Sequence, residues 1–407
     1  MANKSRTVVD ELRGASRLVV EATRGVTDLV ELVHRTIAGG PGVLGAPFDG
    51  VTRAVTAPIY DGIRSVTQLV GAGLDRALAQ LAPLLGTDAP GPEREAVLAA
   101  LNGVLGDYLA QTGNPLAIEM RLRVGGKALT LERTALRAAF PGATGKLLVL
   151  VHGSCLNDRQ WTRRDHDHGE ALARDLGYTP LYLHYNSGLH ISTNGRAFAA
   201  LLDQLAAAWP VPITELAMLA HSMGGLVARS ACHVAEAERL AWREQLRAMV
   251  FLGSPHHGAP LERGGNWIEG LLGVSRYSAP FARLGQIRSA GVTDLRFGNV
   301  LDEHWEGVDR FANGGDPRTA LTLPDGVACY AIAATLATAP SDSLPGDGLV
   351  PVDSALGRHA RPELTLRFPE SHQWIGFGLT HLDLLDSPAV YARLRAWLAL
   401  APTGRAT

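Results

Sequence analysis

Cysteine, aromatic residues and net charge are all scarce in this chain. Its 407 residues include three cysteines, too few and too irregularly spaced for a disulfide framework or a cysteine metal site. Lysine and arginine (38) nearly balance aspartate and glutamate (40), so no basic surface favours nucleic acid. The sequence has no apolar run long enough to cross a bilayer and no secretory apolar segment after its first residues. We expect a soluble, cytoplasmic protein that binds no nucleic acid.

The chain is long for one domain, and its composition is that of a globular protein. Hydrophobic residues make up 46% of it, enough to fill a sizeable core. A change in periodicity near residue 117 separates two parts. We therefore divide the chain into an N-terminal helical region over 1–112 and a larger domain over 113–400, with an insertion over 259–325.

The N-terminal region has helical periodicity throughout. Apolar residues follow a heptad stripe over 7–38, a second stripe occupies about 51–85, and a third helix is predicted from 93 to about 110. Two interpretations stay open. The helices form a hairpin packed on the larger domain or on a second copy in a homodimer, or they bind a lipid or polymer surface peripherally. Few aromatics and mixed charges disfavour the second interpretation.

From residue 117 onward, strand and helix signals alternate. A hairpin turns at Gly125-Gly126, and later apolar runs alternate with helical segments near 165–176, 195–208, 224–240 and from 388. This order predicts an α/β fold, a mostly parallel sheet covered on both faces, with ligands beyond the carboxyl ends of the strands. The predicted strands are 147–151, 181–183, 216–221, 248–252, 327–333 and 364–368.

The most informative stretch is the junction at Ser222. An apolar run ends at His221-Ser222, and two glycines then open a helical segment. Strand, sharp turn and helix form the nucleophile-elbow pattern, in which the serine hydroxyl stands above the edge of the sheet. Small residues two before and two after the serine, Ala220 and Gly224, fit the close backbone contacts of that turn. We predict Ser222 to be a nucleophile.

A serine hydroxyl needs a base, and the base needs an orienting acid. In this topology both follow the serine in the order acid, then histidine. His381, between the last strand and the last helix, is the predicted base, with His372 as competitor. Asp347, in the glycine-flanked turn before the last strand, is the predicted acid, with Asp342 and Asp353 as alternatives.

An oxyanion hole requires two backbone N–H groups. We assign them to Met223, directly after the nucleophile, and to Ser154, in the loop after the first parallel strand. Gly153 would let that loop turn, and His152 is expected to be a hydrogen-bonding rather than a catalytic residue. The insertion holds several large apolar residues and is predicted to cap an acyl pocket. The expected pocket residues are His152, Gly153, His221 and Trp267.

These motifs together resemble those of α/β-hydrolases of the bacterial lipase type and of GPI inositol-deacylase-like lipases. The resemblance covers about residues 117–400 and rests on 151–153, 220–225, 346–350 and 381–383. It implies an α/β-hydrolase fold. In bacterial lipases the aspartate at the position of Asp383 binds calcium, but no second calcium aspartate can be placed here. Local pairing of Asp383 is the stronger expectation, so no metal or cofactor is predicted. Residues 1–112 resemble phasins only loosely.

The predicted function is hydrolysis of carboxylic esters with apolar acyl groups, through an acyl-enzyme on Ser222. A small-molecule or lipid-like ester is the expected substrate. The same three residues would also serve an acyltransferase or a hydrolase of amides, carbamates or polyesters. A surface-binding scaffold with an inactive hydrolase domain is the alternative outside enzymes.

Overall fold

The computed structural model describes residues 92–259, 289–308, 315–341 and 343–400. The helices predicted over 7–38 and 51–85, Trp267 with most of the 259–325 insertion, and Asp342 lie outside the described residues. The sheet and the residues predicted for the oxyanion hole, the nucleophile, the acid and the base all lie within them.

One mixed sheet of eight strands organises the described part of the chain. The strands are β1 (Arg121–Val124), β2 (Lys127–Ala128), β3 (Lys146–Val151), β4 (Thr179–His184), β5 (Glu215–His221), β6 (Leu246–Leu252), β7 (Ala328–Thr335) and β8 (Gln373–Phe377). They neighbour one another in the order β2-β1-β4-β3-β5-β6-β7-β8. β1 is antiparallel to β2 and β4, and every other pair is parallel. This is the arrangement of the α/β-hydrolase fold, so the predicted fold class is confirmed.

The sheet is buried on both faces because alternate residues of its strands enter two separate hydrophobic cores. In β3, Leu147, Val149 and Val151 pack into the first core, whereas Leu148 and Leu150 pack into the second. A strand buried on both faces needs an apolar side chain at every position. This requirement explains the continuous apolar run from which the central strand was predicted.

Helices cover each face of the sheet. They are α1 (Pro92–Gln111), α2 (Arg133–Ala139), α3 (His168–Leu176), α4 (Ile191–Ala208), α5 (Met223–Glu238), α6 (Ala290–Asp294), α7 (Val352–Ala355) and α8 (Pro388–Ala399). α4 and α5 pack side by side and contribute to the first core, whereas α3 and α8 contact each other over the second. Within the described residues, no helix has the length and hydropathy that crossing a bilayer requires.

Helix α1 shares the first core, although the sequence placed it with the N-terminal helical region. Val97, Leu101 and Leu105 of this helix are almost fully buried there. Gly103 and Gly106 let the helix approach two loops, because a Cβ at these positions would overlap the side chains of Cys155 and Asn186. A chain shortened for experiments should therefore begin at residue 92 rather than after residue 112.

The strand predicted over 364–368 is wrong. The segment begins in a short 3₁₀ turn (Pro362–Leu364), and the last strand is β8, which pairs with β7. Leu364, Leu366 and Phe368 are nevertheless buried, while Arg367 is exposed. The alternating pattern therefore predicted correctly which residues of this extended segment are buried. It does not report ladder pairing, because every second residue of any extended chain faces the same side.

Candidate active site

Ser222 occupies a strained turn between β5 and α5. Its backbone angles are φ 55° and ψ −129°, in a region that residues with a side chain rarely adopt. The Ser222 N–H donates to the carbonyl of Leu252 on the neighbouring strand at 2.9 Å, which fixes the turn to the sheet. Gly224 must be small, since a Cβ there would overlap the Val151 carbonyl. The strained turn is thus held between the two neighbouring parallel strands.

Asp347 and His381 form a buried pair. The Nδ1–H of His381 donates to Asp347 Oδ2 at 2.7 Å, and the backbone N–H of His381 donates to the Asp347 carbonyl at 3.0 Å. The other carboxylate oxygen accepts the N–H groups of Leu349 (3.0 Å) and Val350 (2.8 Å). Because the carboxylate accepts three hydrogen bonds, it is fixed in orientation. It therefore sets the imidazole tautomer with the proton on Nδ1.

Contacts of His221 and of Gly253 place the pair close to the serine. His221 Nε2 lies 3.1 Å from the carbonyl oxygen of His381, and the two imidazole rings are 4.6 Å apart. Gly253 directly follows Leu252, the residue to which the Ser222 N–H is bonded. A Cβ at Gly253 would stand 3.2 Å from both Asp347 Oδ2 and His381 Cε1. Ser222, Asp347 and His381 therefore converge at the carboxyl edge of β5 and β6.

Two reactive atoms at this edge have no partner among the described residues. Ser222 Oγ and His381 Nε2 are both buried and make no hydrogen bond there. Several other buried side-chain atoms of the described residues, among them His152 Nε2 and Ser254 Oγ, also have no partner, so what distinguishes these two is their chemistry and position. A nucleophile and a base that meet only around a bound substrate would be unpaired in this way, since catalytic hydrogen bonds are often long in the free enzyme.

The predicted oxyanion loop follows β3. A Cβ at Gly153 would lie 2.9 Å from Ser222 Cβ, so glycine is required for close approach to the serine. The left-handed turn of this loop is at Cys155 (φ 58°), not at Gly153 as we expected, and the Cys155 N–H is held by Ser187 Oγ at 3.0 Å. Met223 is the first residue of α5, where the helix leaves N–H groups unpaired. Ser154 and Met223 stay our predicted oxyanion donors.

Neither His152 nor Cys155 has the electrostatics of a catalytic group. Burial lowers the pKa of His152 to about 3, so its ring is neutral, and Nδ1–H donates to the Gly153 carbonyl at 2.8 Å. The ring stacks on Tyr185, with centroids 4.3 Å apart. Burial raises the pKa of the Cys155 thiol to about 12, which keeps it protonated. His152 thus makes a hydrogen bond of the kind that the sequence favoured, and its place in the substrate pocket stays a prediction.

His221 was assigned to the substrate pocket, and the structure gives it a contact with the base. It is fully buried, and burial together with the nearby His381 holds the pKa of His221 well below its usual value. A neutral ring bonded to the His381 carbonyl carries its proton on Nε2. His221 therefore helps to fix the backbone of the base.

His372 and Asp353, the competing residues that the structure describes, lie elsewhere. His372 Nδ1 donates to the carbonyl of Cys329 near the start of β7, which is the opposite edge of the sheet. Asp353 is exposed and pairs with Arg358. The adjacent His256 and His257 point in different directions: His256 packs against Phe251 and Phe368, whereas His257 bonds to the Gly357 carbonyl. Within the described ranges, no group of three or more potential ligands could hold a metal ion.

Asp383 is engaged locally. Its Oδ2 accepts the N–H and the hydroxyl of Thr380, at 3.0 and 2.5 Å. Its Oδ1 lies 3.3 Å from a guanidinium nitrogen of Arg164. The local pairing that the sequence favoured for this residue is therefore present. Arg164 was not among the predicted site residues, because no motif contains it; the run of charged residues at 163–168 was the available signal.

One family model matches part of the chain. Residues 143–317 match the family model of the PGAP1-like alpha/beta domain, a range that includes Ser154 and Ser222 and ends before Asp347 and His381. This range is less than half of the chain. No curated protein sequence matches the chain significantly.

Several solved structures are similar at low identity. The mature lipase BlEst2 of Bacillus licheniformis is 18% identical, with 62% of this chain and 91% of that chain covered, at a TM-score of 0.42. Lipase B of Aspergillus fumigatus is 14% identical, with 95% of this chain and 86% of that chain covered, at a TM-score of 0.42. Phospholipase PlaB of Legionella pneumophila is 14% identical, with 62% of this chain and 59% of that chain covered, at a TM-score of 0.39. Strand order and family match together identify the described sheet as an α/β-hydrolase domain that resembles the PGAP1-like type.

Proposed function

We propose that the chain is a serine hydrolase that cleaves carboxylic esters, with Ser222 as nucleophile, His381 as general base and acid, and Asp347 as orienting acid. The observation that carries this proposal is the buried Asp347–His381 pair beside a strained, unpaired Ser222. Strain held in place by neighbouring strands is typical of a catalytic turn. The PGAP1-like match over the elbow supports the same reading.

In the acylation half, Ser222 Oγ attacks the ester carbonyl carbon while His381 Nε2 takes the hydroxyl proton. The carbonyl oxygen becomes an oxyanion, for which the N–H groups of Ser154 and Met223 are the proposed donors. The C–O bond to the alcohol then breaks, and the imidazolium returns its proton to the departing oxygen. Asp347 stays ionised throughout and stabilises the charged imidazole.

In the deacylation half, water replaces the alcohol. His381 removes a proton from the water, the hydroxide attacks the acyl carbonyl, and Ser222 leaves with the proton that His381 returns. The acid product then departs. We propose an apolar acyl group for the substrate, on the composition of the 259–325 insertion.

The test is a p-nitrophenyl ester series from acetyl to palmitoyl with the full chain. Ser222→Ala should lose turnover by about 10⁴-fold or more while keeping its melting temperature. Ser230→Ala is the matched control, because Ser230 is also buried on α5 but lies two turns away. An undiminished rate in Ser222→Ala, or equal losses in both variants, would exclude the proposal.

A further inference from the structure

A tight four-residue turn that contains two arginines lies against the loop that carries His381. We call residues 163–166 the arginine turn and residues 378–387 the histidine loop. The backbone groups of Arg163 and His166 bond to each other in both directions, at 2.8 and 2.9 Å. Arg164 and Asp165 between them have φ of 47° and 60°. Two successive left-handed residues form the tight hairpin of a type I′ turn, so the arginine backbones are held rigidly.

Both arginines contact carboxylates of the histidine loop. Arg163 Nε lies 3.1 Å from Asp386 Oδ2, and the Asp386 side chain is only 3% exposed. Arg164 reaches Asp383 Oδ1 at 3.3 Å and Asp386 Oδ2 at 3.5 Å. The two cations therefore face the two anions that follow the base in sequence. The Arg163 contact is a charge-assisted hydrogen bond, which is stronger and more directional than a neutral one, whereas Arg164 contacts both carboxylates as ion pairs.

Asp383 transmits the contact to the base. Its carboxylate accepts both the N–H and the hydroxyl of Thr380, while its own N–H donates to the Thr380 carbonyl at 3.1 Å. These bonds close a four-residue turn around His381. Burial alone would raise the pKa of Asp383, but the Thr380 bonds and the charge of Arg164 outweigh it and lower that pKa. The carboxylate is thus ionised and shared between the arginine turn and the residue before the base.

A neutral histidine adds a third attachment just after the turn. His168 is fully buried, and its Nε2–H donates to the carbonyl of Leu384 at 3.0 Å. Its Nδ1 is left as an acceptor and receives the Nε2–H of His166 at 2.8 Å. Burial lowers the pKa of His168 to about 4, which keeps this orientation at neutral pH. The histidine loop is therefore held at Asp383, Leu384 and Asp386.

We propose that the arginine turn positions the catalytic base, with the Arg164–Asp383 contact as the element that sets the geometry of His381. The proposal rests on the serine-hydrolase function above. The guanidinium groups supply the positive charge against Asp383 and Asp386, so the loop is ordered without a metal ion. Arg164 is a positioning residue, since it acts through Asp383 and Thr380 and touches no reacting atom.

The position of Arg164 separates positioning from general stability. Its side chain is 67% exposed, and ion pairs of exposed residues contribute little to folding. Arg163 is less suitable, because its removal would take the nearer of two guanidinium groups from the buried Asp386 carboxylate and threaten folding. Loss of Arg164 should therefore change catalysis far more than stability.

The experiment compares Arg164→Gln, Asp383→Asn and the double variant on a soluble ester, after Ser222→Ala has shown that the turnover is enzymatic. Each single variant should lower kcat about tenfold at unchanged KM, since a displaced base costs rate and not binding. The double variant should be no slower than the slower single variant, because both single variants already remove the Arg164–Asp383 contact. Arg164→Lys should restore part of the loss, and the melting temperatures should stay the same.

Arg174→Gln is the matched control. Arg174 is 70% exposed on α3 and pairs with its neighbour Asp175, so its loss should leave kcat unchanged. A chelator should also leave wild-type turnover unchanged. An active enzyme whose kcat is insensitive to Arg164→Gln would overturn the proposal and leave the serine mechanism intact. A chelator-induced loss that calcium reverses would overturn it too.

Discussion

The two halves of the candidate site are held by different forces. Ser222 and the oxyanion loop stand at the ends of β5 and β3, where the backbone ladder of the central sheet fixes them. Asp347 and His381 stand on loops, and side-chain hydrogen bonds and ion pairs hold them. The first half tolerates no added bulk, whereas the second depends on particular charged groups. Substitutions should therefore fail for steric reasons on one side and for electrostatic reasons on the other.

The largest effect should come from the electrostatic half. Asp347→Asn preserves shape but can donate a proton to His381, which favours the wrong tautomer of the imidazole. We expect kcat to fall by about 10⁴-fold with little change in KM. Steady-state kinetics on a p-nitrophenyl ester would measure it. Asp353→Asn removes an exposed carboxylate and should behave as wild type. Similar rates for Asp347→Asn and wild type would remove Asp347 from the mechanism.

Adding one methyl group beside Ser222, in the strand-held half of the site, should already lower the rate. In Gly153→Ala the new Cβ would stand 2.9 Å from Ser222 Cβ and 3.2 Å from His221 Nδ1, closer than carbon atoms tolerate. The loop or the serine must shift, and a misplacement of this size costs about 100-fold in kcat. Gly142→Ala is the control, since nothing lies within 4 Å of a Cβ there. A normal rate in Gly153→Ala, with the structure unchanged, would mean that the loop is not held rigidly.

The smallest effect should be a pH dependence of stability on the loop side. The folded state lowers the pKa of His168 from 6.5 to about 4, so between these values the unfolded chain binds more protons than the folded protein. Stability therefore rises with pH and is lost as pH falls from 6.5 towards 4. From pH 7 to pH 5 this group should account for about 2 kcal/mol.

Urea unfolding at both pH values would measure it. His168→Gln, which cannot titrate, should show a shallower loss than wild type by that amount. Equal losses in the two proteins would mean that His168 is not kept neutral by folding.

Sequence patterns predicted the strand-held half well, because a residue at a strand end leaves a local signature. The apolar runs before His152 and Ser222 indicated both strands. Asp347 and His381 were found from their order along the chain, and the structure pairs them.

What holds the loop half was not predictable in this way. Arg163 and Arg164 lie more than 200 residues before the carboxylates that they contact, and nothing local marks such a pairing. The extended segment at 364–368 was misread for a related reason: alternation reports which side is buried, not which strand is the neighbour. For a similar reason, helix α1 was predicted to belong to the N-terminal helical region, although it packs into the first core. Helical periodicity shows which face of a helix is buried but not what that face packs against.

The conformation of Ser222 also says something about selection. Backbone strain of this kind costs on the order of 1–3 kcal/mol, and glycine would adopt the same angles more cheaply. The position therefore carries a residue that folding alone would not choose. Under the proposed function, the fold gives up this stability in order to place a hydroxyl group above the carboxyl edge of the sheet.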